Sequence, residues 1–162
     1  RDLHKEYRRQ RQMCIRDRGR TMKPVYDHLV SAEARSSGLF SRTAFVQLDE
    51  VVSPVWGDAN FSEEIDRHLL SRLSGGYRTF LVINGQTNQP DVEANRHRAT
   101  ILENGGLGVQ LLGIGVNGHV GFNEPGCHPD SQCRVTAGQS RCVGNLSLIG
   151  SFPTTSTPRY PL

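Results

Sequence analysis

The chain has 162 residues, 36% hydrophobic and 22% charged, with 17 Gly, 8 Pro and 4 Cys; this suits one ordinary domain, and no apolar run approaches the ~18 residues of a membrane-spanning helix. Four scattered cysteines without a Cys-x-x-Cys pair argue against a disulfide scaffold or a structural zinc site. The net charge of +3 comes from one end: residues 1–20 carry eight Lys or Arg against three acids, the remainder eleven against thirteen, a distribution that argues against nucleic acid as a partner.

Residues 1–18 place Leu3, Tyr7, Met13 and Ile15 on no common stripe and read as a basic leader outside the fold. The leader is a solvated arm or a stretch joined on from elsewhere. It lacks the apolar core of a secretory signal, so the expected location is the cytoplasm, with reduced thiols. Pro24 to about Arg35 reads as a helix with Val25, Leu29 and Ala32 on one face, ended by Ser-Ser-Gly. Thr43 to Val52 is a short apolar run rich in β-branched residues, hence a buried strand. Asn60 can cap a helix whose Ile65, Leu69 and Leu73 fall at i, i+4 and i+8, with Gly75 and Gly76 stopping it. Thr79 to Ile83 is a second buried strand. A helix from about Asp91 to Glu103 follows, and Val109 to Ile114 is a third strand running into a glycine-rich turn. Beyond about Arg134 the pattern fades, and residues 137–162 read as a tail. Strands alternating with helical patterns predict an α/β fold: a three-layer, Rossmann-like parallel sheet with helices on both faces, here incomplete.

In such sheets ligands bind beyond the carboxyl ends of the strands. The first predicted strand delivers Asp49 and Glu50 there; the third delivers the segment from Gly113 to Gly126. Gly113, Gly115 and Gly118 spell a G-x-G-x-x-G, but Gly121 and Pro125-Gly126 are poor material for the helix that a dinucleotide site needs after its third glycine. His119 with Asn117 and Glu124 is the stronger constellation, because a carboxylate and an amide within reach can fix a histidine tautomer and tune its basicity. A loop whose polar groups satisfy only its own turns is the competing reading. Asp49 and Glu50 point to opposite faces of their strand, so only one of them can face a given site; acids at a solvent-facing strand end are the alternative.

The segment Leu111-Leu-Gly-Ile-Gly-Val-Asn-Gly-His-Val-Gly-Phe-Asn-Glu-Pro-Gly126 resembles the signature of the glucosamine-6-phosphate deaminase (isomerase) family. Gly19, Thr21, Pro24 and Tyr26 resemble the end of that family's phosphate loop and the start of its helix. Phe45 to Glu50 resembles the strand of the catalytic base, and Asn84-Gly85 with Asp91 to Asn95 resembles the turn and helix before the signature strand. The related 6-phosphogluconolactonases share the fold but match Phe122-Asn-Glu-Pro poorly. The resemblance covers residues 19–136 and implies conversion of glucosamine 6-phosphate to fructose 6-phosphate and ammonia, with no metal and no organic cofactor. It implies Asp49 as the base moving the C2 proton, His119 as the ring-opening group, and Asn117 and Glu124 as its supports. Gly19, Thr21, Glu50 and Gly118 are the implied substrate-binding positions, and a small sugar phosphate is the implied partner, without nucleic acid or membrane; a homo-oligomer is left open. Many members carry Asp where this chain has Asn117. Val51 replaces an aromatic residue, Arg20 and the leader stand where small residues and an earlier strand and helix belong, and the later sheet elements and a phosphate-contacting cation have no counterpart. The chain thus looks like the middle of the enzyme. A catalytically silent sugar-phosphate-binding module and a lactonase-like hydrolase are the alternatives.

Overall fold

A computed structural model describes residues 12–15, 22–52, 61–128, 131–137 and 144–147. In chain order they form β1 (Gln12–Ile15), α1 (Met22–Arg35), β2 (Ala44–Gln47), β3 (Asp49–Val52), α2 (Phe61–His68), a 3-10 turn (Leu70–Arg72), β4 (Thr79–Leu81), α3 (Pro90–Glu103), β5 (Val109–Leu111), β6 (Arg134–Ala137) and β7 (Gly144–Ser147). Four of the strands make one parallel sheet in the order β4-β2-β1-β5.

The layers follow from the alternation of side chains along β2, every residue of which is buried. Phe45 packs with Met22 and Tyr26 of α1 and with Ile65 of α2. Val46, its neighbour, packs with Ala94 and Ile101 of α3. Helices therefore cover opposite faces, as the sequence predicts. Burial on both faces also explains why these strands read as continuous apolar runs rather than alternating ones. Pro at the first turn of α3, with Asp91 and Glu93 beside it, suits the helix start electrostatically and sterically. Gly105 and Gly106, at φ +99° and +78°, turn the chain from that helix into β5.

Three expectations are corrected. The run from Thr43 to Val52 is two strands, because at Leu48 the chain leaves the parallel sheet; β3 pairs antiparallel with β7, and β7 with β6, in a second sheet of three strands. The leader is not wholly outside the fold: Gln12–Ile15 pairs with β2 on one side and β5 on the other, at the centre of the parallel sheet. A strand of four residues between basic stretches offers too little apolar length to register as a period. Finally, Gly144–Ser147 lies within the stretch read as a tail, yet it is the middle strand of the second sheet. The cap expected at Asn60 falls outside the described residues.

Candidate active site

Because β2 and β5 are parallel, the segments that follow them emerge at one edge of the sheet. Only β1 lies between the two strands, so their axes are about 10 Å apart, two strand spacings. Asp49 and Glu50 follow β2 directly and are buried, at 1% and 2% exposure. Residues 112–126 follow β5 as turns and short bridges, with no helix after Gly118, so the dinucleotide pattern has no structural counterpart.

Within that loop the structure brings Asn117, His119 and Glu124 together. The Asn117 Nδ2 donates to Glu124 Oε2 at 2.8 Å, and Asn117 Oδ1 lies 2.6 Å from His119 Nδ1. A carbonyl oxygen only accepts, so Nδ1 carries the imidazole proton and Nε2 presents its lone pair. The backbone N–H of His119 also donates to Asn117 Oδ1, at 3.2 Å. Glu124 thereby fixes which way the amide faces, and the amide fixes the tautomer. The glycines make room for this. A Cβ on Gly115 would collide with His119 Cε1 and Nδ1, so the ring lies directly over that residue. Gly118, at φ +86°, donates its N–H to the Gly115 carbonyl and closes the turn.

Glu50 has a different setting from the substrate contact expected of it. Its carboxylate accepts from Gln47 Nε2 at 2.7 Å, from the Val51 N–H at 3.0 Å and from the Phe61 N–H at 3.1 Å, the last at the start of α2. Burial raises its carboxyl above the usual range, and these bonds oppose the rise. A Cβ on Gly85 would come within 2.8 Å of Glu50 Cγ, so the Asn84-Gly85 turn presses on the same side chain. The Phe61 ring packs against Phe122 with centroids 6.0 Å apart. One short helix is thus tied at its first residue both to the Asp49–Glu50 segment and to the histidine loop. Arg134 holds the far side of that loop, donating from Nη2 to Asn123 Oδ1 at 2.6 Å.

Gly118 lies in the loop as expected, and Gly19 and Thr21 fall outside the described residues. Sequence reasoning missed Gln47, Phe61, Phe122 and Arg134. The spacing of Gln47, two positions before Asp49 on an extended run, was the available signal; the aromatic pair and the arginine carry no local one. An open hollow of about 420 Å³ along α1, lined by Lys23, Pro24, Asp27, His28 and Ser31, contains none of the candidate residues. Among the described residues no cluster of three or more His, Cys, Asp or Glu could hold a metal ion, and no helix is long and apolar enough to cross a membrane.

This architecture is that of the α/β proteins built like 6-phosphogluconolactonases and glucosamine-6-phosphate deaminases. The structure of a monomeric glucosamine-6-phosphate deaminase superposes with a TM-score of 0.71 at 20% identity, over 87% of this chain and 64% of that one. A 6-phosphogluconolactonase from Thermotoga maritima gives 0.60 at 22% identity, over 91% and 66%. The sequence narrows the class: the chain is homologous to the glucosamine-6-phosphate deaminases. It is 33% identical over 118 residues to the one from Oceanobacillus iheyensis, covering 72% of this chain and 47% of the relative. With glucosamine-6-phosphate deaminase 1 of Giardia intestinalis it shares 34% over 136 residues, 82% of this chain and 51% of the relative. The chain spans about half the length of these curated relatives. No protein-family model matches it.

Proposed function

We propose that the protein acts on glucosamine 6-phosphate, isomerising it and releasing ammonia to give fructose 6-phosphate. The observation that carries this reading is the Glu124–Asn117–His119 relay, in a chain whose relatives bear the deaminase name. In the ring form, His119 Nε2 takes the proton of the anomeric hydroxyl and passes it to the ring oxygen as the C1–O5 bond breaks. Asp49, held in a rigid buried segment, then removes the C2 proton and returns it at C1. The amine nitrogen loses a proton and the C1 oxygen gains one, leaving an imine at C2 and a hydroxyl at C1, and water hydrolyses the imine to the ketone and ammonia. A buried carboxylate at a fixed place suits the task, since it can be aimed at a single proton. Gly19, Thr21 and Gly118 are assigned to substrate binding, with the sugar phosphate as a small-molecule partner. Glu50 contributes through the placement of Asp49.

The test is ammonia and fructose 6-phosphate production from glucosamine 6-phosphate, by this chain and by a chimera that completes it with the remaining segments of the Oceanobacillus relative. Release of ammonia supports the reading. Hydrolysis of 6-phosphogluconolactone without ammonia release would move the assignment to the lactonase class that shares the fold.

A further inference from the structure

Between Gln47 and Asp49 the backbone passes from one sheet to another, and neither ladder runs through the junction. A single amide bridges it. The Gln47 Nε2 donates to the Asp49 carbonyl at 3.1 Å and to Glu50 Oε2 at 2.7 Å, while its Oε1 accepts from the Ile83 N–H at 2.9 Å, beyond the end of β4. Its orientation is unambiguous, because a backbone N–H only donates and a carboxylate only accepts. The Gln47 backbone is held in turn: His97, fully buried on α3, donates from Nε2 to the Gln47 carbonyl at 3.0 Å.

We propose that Gln47, anchored by His97, is a positioning residue for the Asp49–Glu50 pair. Its catalytic consequence rests on the function proposed above; its geometry does not. Two donated bonds and one accepted bond from one buried side chain are needed together, which an amide supplies and a carboxylate or hydrocarbon cannot. The bond from Gln47 to Asp49 is to the backbone carbonyl, so it acts on where the carboxylate stands rather than on the carboxylate's own proton. Glu50, fixed by the same amide, carries the placement on to α2 through Phe61.

The test compares Gln47→Met, close in size but unable to make these bonds, with the unsubstituted protein. Deamination kinetics are expected to show kcat lowered about 10-fold or more with KM for glucosamine 6-phosphate within about 2-fold, the signature of a displaced reacting group rather than of lost binding. Amide exchange at Ile83 is expected to speed up about 10-fold or more, by loss of its acceptor. Unchanged kcat together with unchanged exchange at Ile83 overturns the proposal. If Gln47→Met does not fold, exchange at Ile83 in the unsubstituted protein decides: slow exchange supports the bridge, and exchange as fast as an exposed loop amide overturns it. If neither the chain nor the completed chimera releases ammonia, the proposed function fails. The exchange at Ile83 still tells whether Gln47 holds the pair.

Discussion

The two groups assigned to chemistry differ in what surrounds them. Asp49 is buried, whereas His119 is partly exposed and oriented by Asn117. Asp49→Asn is therefore expected to abolish exchange of the C2 proton with solvent, a loss of about 10²–10⁴-fold for a general base. In contrast, His119→Gln should slow the ring form more than a substrate already open. Unchanged C2 exchange in Asp49→Asn would mean that another base is at work. Gly115→Ala tests the histidine differently: the added methyl occupies the space of the ring, so His119 must leave its bond to Asn117. Activity should fall by about 10²-fold, with the fold retained in a circular dichroism spectrum.

His97 makes a prediction about stability. Burial pushes its pKa down to about 4, the Gln47 carbonyl pulling weakly the other way. The unfolded chain, with an ordinary imidazole near ~6.5, then binds the proton first as pH falls. Stability should drop between about pH 6.5 and pH 4, by about 3 kcal/mol, and level off below. Glu50, whose carboxyl is raised, contributes with the opposite sign around its own titration. Urea unfolding across this window isolates the histidine if His97→Gln is run beside the parent: the variant should lose the steep part of the slope.

At the scale of elements, the arrangement turns on α2. Its first residue receives the Glu50 cap and packs against Phe122 in a tilted ring pair, so a helix of eight residues couples two segments widely separated in sequence. Phe122→Ala should cost about 1 kcal/mol for the lost ring pair. It should also raise amide exchange at Val120 and Asn123, which are bonded to each other across the turn, more than at β2. Equal exchange in parent and variant would show that the loop stands without the helix.

The three parallel strands and three helices that frame this site are legible in the sequence because each carries a buried apolar run or face of sufficient length. The relay at Asn117, His119 and Glu124 is legible because a tight glycine turn brings residues seven positions apart into contact. The strand break at Leu48 is hidden, since no Gly, Pro or Asn stands between Gln47 and Asp49 and the apolar residues on either side read as one extended run. The role of Glu50 is hidden as well: its partner is a backbone N–H eleven positions away, and no side-chain pattern marks a backbone donor.

At the scale of the whole molecule, β5 stands at the end of the parallel sheet as described, and Val109, Ile114 and Val116 in and after it are exposed, at 48%, 77% and 112%. Apolar side chains along a sheet edge favour association. The relatives are about twice as long as the region they share with this chain. Deamination by the 162 residues alone is accordingly expected to be at least about 10²-fold below that of the completed chimera, because substrate held loosely by part of its contacts is misplaced at the reacting carbons. Equal rates would show that the shared half carries the whole reaction.

The position of β1 has a consequence for how the chain comes to be folded. Met13 pairs with Phe45 on one side and with Val109 on the other. The first contact closes a loop of moderate length, but the second must wait for most of the sequence. During synthesis β1 and β2 can associate early, leaving the other edge of β1 open until β5 leaves the ribosome. Such long-range parallel pairing folds slowly and exposes a strand edge while it waits. Refolding from urea should therefore be slow and sensitive to protein concentration. Among the described strands of the parallel sheet, β1 comes earliest in sequence and is the one whose pairing is completed last.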